Sequence, residues 1–309
     1  MEFEKWQALG NDYLILEATA LWFELTPARV RAICAPHTGV FADGILVLSK
    51  LGARAGPGDA PGPAEYAASP ASGEPSEPSR DCVARLTIFN PDGSQAELSG
   101  NGAREAVLYL RRHGWTAADT FSIWTAVGEI GARITSSTAC TIDMGRARLH
   151  SSDYPAGAPD GAGQLIAAGL SWRFQHVQAG NPQCAIVLGS EAELHALKLP
   201  EIGPEIVHHE LFPQRTNVSW FAVRTPGRIR ARIFERGVGE TSASGTGAIG
   251  AAVAYVRQGG SSPVSVELDG GELEVVVGDD LHIDLSGWAV PVFRGALADD
   301  FLAELHATQ

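Results

Sequence analysis

Two short glycine-rich segments contain the residues best suited to chemistry. Each reads Ser-Gly-x-Gly-Ala and leads into an apolar helical pattern, one from Ser99 and the other from Ser244. Serine is a good helix N-cap, and a helix start offers free backbone N–H groups and a positive dipole end to an anion. One such segment alone is typical of an ordinary capped helix. A matched pair, one in each half of the chain, predicts a carboxylate site with one side chain on either side of the adjoining carbon.

Three further polar clusters stand at the ends of predicted strands: Gly180–Gln183, Arg215–Val218 and Glu235–Thr241. The guanidinium of Arg236 is suited to a bidentate pair with a substrate carboxylate. A partly buried Glu235 is suited to act as a general base or as the partner of one. Each asparagine is equally typical of a turn, and Glu235 with Arg236 of a surface ion pair.

Composition narrows the class of protein. The 309 residues are enough for two domains, and 45% hydrophobic with 19% charged residues is ordinary for a globular enzyme. The net charge of −13 argues against nucleic acid or an anionic membrane surface as a partner. The net charge does not exclude anionic small molecules as ligands, because helix N-termini and arginine side chains can create a positive potential locally.

Cysteine and histidine usage predicts neither metal nor disulfide chemistry. The four cysteines are scattered without a CxxC pair, and the nine histidines form neither HxxxH nor HExxH. There is no basic-then-apolar leader and no apolar run of eighteen residues. We therefore expect a cytoplasmic protein with reduced thiols and no metal.

The elements that position these residues form a pattern that occurs twice. Strands are predicted around each Ser-Gly-x-Gly segment, and each segment opens a long helix, the first reaching about His113 and the second about Gln258. Residues 52–81 are dominated by Gly, Pro, Ala, Ser and Glu and predict a mobile surface insertion. The residues from Ala289 to Phe293 are expected to add a strand back to the first domain. Many strands wrapped around one helix, twice over, predict an α+β fold.

The motifs together resemble the diaminopimelate epimerase family, over nearly the whole chain except 52–81. They occur in the family's order: Gly10-Asn11-Asp12, Asn90-Pro91-Asp92-Gly93-Ser94, Ser99-Gly100-Asn101-Gly102, Gly180-Asn181-Pro182, Asn217-Val218, and Glu235-Arg236-Gly237-Val238-Gly239-Glu240-Thr241 through Gly245-Thr246-Gly247.

The resemblance implies two similar domains, each a β-barrel-like sheet around a central helix, with the active site in the cleft between them. We place the domains at 1–119 plus 289–309 and at 120–288. The resemblance also implies a homodimer and a cofactor-independent two-base reaction on an amino acid with a carboxylate at each end. Its substrate-binding positions are Asn11, Asn90, Asn181, Asn217 and Arg236, with the backbone of Gly100, Asn101, Gly245 and Thr246 on the α-carboxylate.

Three positions depart from the family. The two acid/base residues, cysteines in the family, are Ser99 and Ser244 here, and the family's histidine after Asn-Pro is Gln183. Glu235, which assists one acid/base group, is retained. A thiol with a pKa of about 8.5 is readily made a thiolate, whereas a serine hydroxyl needs a strong adjacent base. Neutral Gln183 is not such a base.

Three functions agree with these observations. The first is interconversion of LL- and meso-diaminopimelate in lysine and peptidoglycan biosynthesis, with Ser99, Ser244 and Glu235 as the catalytic set. The second is another reaction on this fold, such as racemisation of a different amino acid; Arg236 favours a substrate with a second polar end. The third is a catalytically silent amino-acid-binding homologue, in which both serines only cap helices.

Overall fold

The computed structural model describes residues 1–51 and 78–308, so most of the predicted insertion, 52–77, lies outside the described residues. The chain divides into two units, Met1–Ile142 with Trp288–Gln309 and Asp143–Gly287. The expected border after residue 119 falls inside the first unit, because the strand at Thr120–Thr125 pairs in parallel with the strand at Cys82–Phe89.

Strands dominate the described part of the chain. In order they are β1 (Glu2–Ala8), β2 (Asn11–Glu17), β3 (Ile45–Lys50), β4 (Cys82–Phe89), β5 (Gln95–Ala96), β6 (Thr120–Thr125), β7 (Gly128–Ser136), β8 (Ala139–Arg146), β9 (Ala162–Ala167), β10 (Leu170–Ala179), β11 (Asn181–Leu188), β12 (Asn217–Thr225), β13 (Arg228–Glu235), β14 (Gly239–Thr241), β15 (Val264–Leu268), β16 (Gly271–Val277), β17 (His282–Trp288) and β18 (Val290–Ala296). The helices are α1 (Pro27–Cys34), α2 (Gly100–Arg112), α3 (Glu191–Ala196), α4 (Leu199–Val207), α5 (Gly245–Arg257) and α6 (Asp299–Ala307).

The two units repeat one order of strand pairing. In the first unit β1 pairs antiparallel with β2, β2 parallel with β3, β3 antiparallel with β4, and β4 parallel with β6, which leads antiparallel to β7 and β8. In the second unit β10, β11, β12, β13, β15, β16 and β17 follow each other in the same sequence of antiparallel and parallel pairs. The predicted α+β fold with two similar halves is confirmed.

One helix lies inside each set of strands. Helix α2 contacts β1, β2, β3, β4 and β7, and α5 contacts β10, β11, β12, β13, β15 and β16. Both are buried nearly from end to end. Small residues let the strands approach: a Cβ on Gly247 would lie 2.3 Å from Cδ1 of Ile233 on β13. The glycines after each serine therefore serve packing as well as the turn.

Five elements were not expected from the sequence: α3, α4, α6, β9 and β14. Helix α4 contains Pro204 in its interior, a position where proline predicts a break rather than a helix. Packing of Leu199, Ile202 and Ile206 into an apolar cluster with Trp220 stabilises it. The expected strand from Ala289 is β18, which pairs with β1.

No helix in the described residues is long and apolar enough to cross a membrane.

Candidate active site

Ser99 caps α2 as the sequence predicts. Its backbone is extended (φ −127°, ψ 121°), and its Oγ accepts the N–H of Gly102 at 3.1 Å. Helix geometry leaves the N–H groups of Gly100 and Asn101 without an intrahelical acceptor. Ser99 is half-buried, while Gly100 and Asn101 are buried. The turn therefore offers two N–H groups and a hydroxyl at the positive end of a helix.

A chain of hydrogen bonds through two asparagine side chains connects this turn to a buried arginine and to an aspartate. Arg104, which is fully buried, donates to Asn101 Oδ1 at 2.6 Å and to the carbonyl of Gly100 at 2.9 Å. Asn101 Nδ2 donates to Asn11 Oδ1 at 3.1 Å, and Asn11 Nδ2 donates to Asp43 Oδ2 at 2.8 Å. Because a guanidinium only donates, the direction of every bond in this chain follows from Arg104. Neither Arg104 nor Asp43 was singled out from the sequence.

Burial changes the protonation of the groups behind the turn. Loss of hydration lowers the pKa of Arg104 to about 10, a value at which the guanidinium stays charged at neutral pH. The neighbouring Glu105 is also fully buried, and burial raises the pKa of its carboxyl well above the usual value. The charge of Arg104 and the backbone N–H of Tyr13 act in the opposite direction but do not outweigh burial. Such a carboxyl favours the neutral form.

Asn90 lies in the predicted Asn90–Gly93 turn. Its Nδ2 donates to Ser94 Oγ at 2.9 Å, and its own N–H donates to the carbonyl of Ser94 at 2.8 Å. The turn thus fixes the NH₂ group of Asn90 on Ser94, which leaves Oδ1 as the acceptor atom of this amide.

Ser244 repeats the geometry of Ser99 in the second unit. Its backbone is extended (φ −142°, ψ 121°), and its Oγ accepts the N–H of Gly247 at 3.2 Å. Thr246 places its hydroxyl 3.5 Å from the same oxygen. Ser244 is 4% exposed. The N–H groups of Gly245 and Thr246 correspond to those of Gly100 and Asn101 and are likewise outside the helical ladder.

Asn217 and Asn181 are held by defined donors. Asn217, 2% exposed, accepts the backbone N–H of Arg236 at 2.9 Å. Asn181 Oδ1 accepts a hydrogen bond from Gln183 Nε2, which turns the Asn181 NH₂ group away from Gln183. Gln183 packs against α5, where a Cβ on Gly250 would lie 2.8 Å from its Cβ. Gln183 therefore positions Asn181 rather than offering a base.

Glu235 and Arg236 end β13 with different partners. Glu235 Oε1 accepts the hydroxyl of Thr241 at 3.0 Å across the β13–β14 pair, and Arg236 Nη1 donates to the carbonyl of Gln214 at 2.9 Å. The Arg236 guanidinium borders an open groove of about 540 Å³, lined also by Pro213, Gln214, Arg215 and Gly237. Two arginines in one groove suit a carboxylate.

All four cysteine thiols are less acidic than usual; Cys82 is half-buried, and burial raises its pKa as well. Cys34, Cys140 and Cys184 are buried, and burial raises the thiol pKa of Cys34 and of Cys140 to about 12. Burial also raises the thiol pKa of Cys184 well above its usual value. Such thiols are inert near neutrality.

One cluster of metal-ligating type was not predicted from the sequence. Asp143, His282 and Asp284 bring one ligand atom each within 4.8 Å of one another. All three are partly exposed, and His282 Nε2 lies 3.1 Å from Asp143 Oδ1. The group forms an ion pair whenever the imidazole is protonated.

Known proteins match this chain along most of its length. The family model described as diaminopimelate epimerase matches residues 3–150 and 176–288. The diaminopimelate epimerase of Cyanothece sp. is 36% identical over 311 residues, which covers 96% of this chain and 99% of the relative. That of Magnetococcus marinus is 36% identical over 301 residues, covering 96% of each chain.

Solved structures share the fold at lower identity. A phenazine biosynthesis protein of the PhzF family from Bacillus anthracis matches with a TM-score of 0.65 at 15% identity, over 96% of this chain and 99% of the other. A hydroxyproline epimerase from Agrobacterium vitis, with bound trans-4-OH-L-proline, matches with a TM-score of 0.62 at 16% identity, over 97% and 93%. The family match and the full-length relatives agree: this chain belongs to the diaminopimelate epimerase family.

Proposed function

We propose that this protein interconverts LL- and meso-diaminopimelate, with Ser99 and Ser244 as the acid/base pair. The observation that carries the proposal is the repeated cap: each serine opens the helix at the centre of its unit and accepts the N–H three residues on. In one direction Ser244 Oγ takes the α-proton as the C–H bond breaks, while its own hydroxyl proton passes to the Glu235 carboxylate, and Ser99 donates its proton to the opposite face. The electron pair is held meanwhile by the substrate's carboxylate group.

The helix starts would bind the α-carboxylate. Backbone N–H groups of Gly100, Asn101, Gly245 and Thr246 lie at positive helix ends, where a carboxylate is stabilised. The negative charge that develops on this group as the proton leaves would be stabilised by the same donors, and these donors are already oriented before reaction. Binding and activation of the α-carbon thus use one set of groups.

The remaining polar groups would select the rest of the substrate. Arg236, in its groove, would pair with the distal carboxylate. Asn11, Asn90, Asn181 and Asn217 would bind the substrate's polar groups. Hydrogen bonds to Asp43, Ser94, Gln183 and Arg236 already orient their amides. Pre-oriented amides lose little conformational entropy on binding.

Serine makes the proton transfer harder than a thiol would. Each unit of difference in pKa corresponds to about 1.4 kcal/mol, or a factor of ten. Glu235 is the carboxylate among the proposed site residues, and we assign it as the assistant of Ser244 in proton transfer. Glu235 is the last residue of β13, and a hydrogen bond from the Thr241 hydroxyl fixes its carboxylate there.

The proposal is tested by proton NMR of LL-diaminopimelate with the purified protein in D2O. We expect loss of the α-proton signal together with appearance of the meso isomer, and loss of both in Glu235→Gln. Glu240→Gln is the matched control, because Glu240 is a neighbouring carboxylate that pairs with Arg232. No exchange in the wild type, and none restored by Ser99→Cys with Ser244→Cys, would refute an epimerase acting on this substrate.

A silent binding protein is the second candidate, because both serine hydroxyls already act as caps. It predicts heat of binding for a diaminopimelate isomer in calorimetry without α-proton exchange. Exchange in D2O with another amino acid, but not with diaminopimelate, would instead support a racemase of different substrate choice.

We also propose a cytoplasmic homodimer. Family resemblance supports the dimer, and four free cysteines support a reducing compartment. Sedimentation equilibrium of the purified chain tests the dimer, and a monomer at micromolar concentration would contradict it.

A further inference from the structure

Tyr13 brings a second hydroxyl to Ser99. Its phenol lies 3.3 Å from Ser99 Oγ and donates to it, from a strand 86 positions earlier in the chain. Ser99 Oγ then accepts two hydrogen bonds, one from Tyr13 and one from the N–H of Gly102. With both acceptor sites of the oxygen occupied, the Ser99 proton points to a third partner.

The surroundings are built to accept this ring. Tyr13 is 6% exposed, and a Cβ on Gly44 would lie 2.7 Å from its Cε1 and 2.3 Å from the carbonyl oxygen of Phe89. Any side chain at position 44 would therefore displace the ring or the strand. Glycine at this position leaves the space that Tyr13 occupies.

A phenol solves the energetic difficulty of a serine base. Tyrosine has an ordinary pKa of about 10, whereas a serine hydroxyl is much less acidic. If Ser99 gave up its proton alone, an alkoxide would remain. If a phenol replaces that proton in the same step, the negative charge rests on the phenol oxygen instead.

We propose that Tyr13 is a positioning residue that acts through Ser99 as the end of a two-hydroxyl proton relay; this rests on the proposed epimerase function. When Ser99 protonates the α-carbon, its O–H bond breaks as the O–H bond of Tyr13 breaks in turn. The Tyr13 proton moves to Ser99 Oγ, and an electron pair remains on the Tyr13 oxygen. In the reverse direction the phenolate takes the Ser99 proton while Ser99 Oγ removes the α-proton.

Tyr13 has charged neighbours on β1, on β2, on α2 and in the loop before β3; its own backbone N–H donates to Glu105. Lys5 on β1 pairs with Asp12 on β2 at 3.1 Å, Asp43 accepts the backbone N–H of Asp12 at 2.9 Å, and buried Glu105 stands on α2. The three carboxyl groups disfavour a phenolate when ionised, and Lys5 favours it.

The first test compares Tyr13→Phe in two backgrounds. With Ser99 present, we expect kcat/KM for LL-diaminopimelate to fall at least about 100-fold. In the Ser99→Cys background we expect a fall of about 10-fold or less, because a thiolate needs no relay. An equal fold decrease in kcat/KM in both backgrounds, or no decrease in either, would overturn the relay. Tyr109→Phe is the matched control. Tyr109 lies on α2, the helix that Ser99 caps, and its buried phenol donates to Glu17 at 3.0 Å rather than to Ser99.

A second measurement does not depend on activity. In the Ser99→Cys protein, the rate of alkylation by iodoacetamide against pH gives the pKa of the introduced thiol. A phenol that donates to the thiolate stabilises it, so adding Tyr13→Phe should raise that pKa by about one unit. An unchanged thiol pKa would show that Tyr13 does not act on this position. A wild type without α-proton exchange would refute the proposed function, and this titration would still decide whether Tyr13 acts on position 99.

Discussion

The Arg104 guanidinium donates to Asn101 Oδ1 across 2.6 Å, and this bond orients the amides of the first unit's proposed site. Because Asn101 presents its oxygen to Arg104, its NH₂ group faces Asn11, and the NH₂ group of Asn11 faces Asp43. A buried cation thus sets the direction of hydrogen bonds at residues that would contact substrate.

Arg104→Met should therefore weaken substrate binding from a residue that touches no substrate. Without the guanidinium, the Asn101 and Asn11 amides are free to reverse, and we expect KM for LL-diaminopimelate to rise about tenfold, the cost of one misplaced hydrogen bond. Arg111→Met, on the exposed side of the same helix, is the control. Asn101→Asp keeps an acceptor for Arg104 but removes the donor to Asn11, so a normal KM in that variant would contradict the orientation argument.

Glu105→Gln should change how stability depends on pH. The pKa of Glu105 is raised in the folded state. Its contribution to folding stability is therefore fully present below about pH 4.5, its usual pKa, and is lost as the pH rises through the folded-state pKa. The variant should thus gain stability over the wild type above pH 4.5, with a slope approaching about 1.4 kcal/mol per pH unit.

Urea unfolding of both proteins at several pH values measures this difference. Subtracting the unfolding free energies of the two proteins cancels the contributions of the other carboxyl groups. Asp12 is one of these, and burial raises its pKa too. A pH-independent difference would mean that Glu105 is not the titrating group.

Arg236→Ala should weaken binding at the distal carboxylate of the substrate and leave binding of the α-carboxylate intact. Loss of a charge-assisted pair with the distal carboxylate costs about 1.5–3 kcal/mol, so we expect Kd for diaminopimelate to rise about 10- to 150-fold in calorimetry. Arg173→Ala, an exposed arginine on β10, should leave it unchanged. Lysine lacks the second carboxylate, so its weaker binding should not respond to Arg236→Ala; an equal response would place Arg236 elsewhere than at the distal end.

Ser99→Cys combined with Ser244→Cys should make the protein faster and less stable. A thiol is a weak acceptor, so the loss of two caps should lower the free energy of unfolding by about 1–2 kcal/mol. The lower pKa of a thiol should raise the epimerisation rate at least about 100-fold. Ser190→Cys is the control, because Ser190 caps α3 with the same bond, at 3.2 Å, and should lose stability without gain in rate. A faster rate there would point to a nonspecific effect.

The sequence by itself determined the features that depend on neighbours along the chain. A serine, two glycines and an apolar helical pattern specify a cap whose bond runs only three residues, so both caps are found where the sequence predicts them. Alternation and turn residues likewise indicated most strands and the repeated fold. Family motifs carried the substrate-binding positions, which remain a prediction.

Only the tertiary structure decided which distant side chains meet. Tyr13 donates to Ser99 because β2 lies against α2, and Gln183 donates to Asn181 because its own packing against α5 turns it that way. In the sequence, Arg104 and Glu105 are typical of an exposed helix face, and Pro204 predicts a break within α4. Local patterns do not record which face of an element becomes buried, because burial depends on the strands and helices that pack around it.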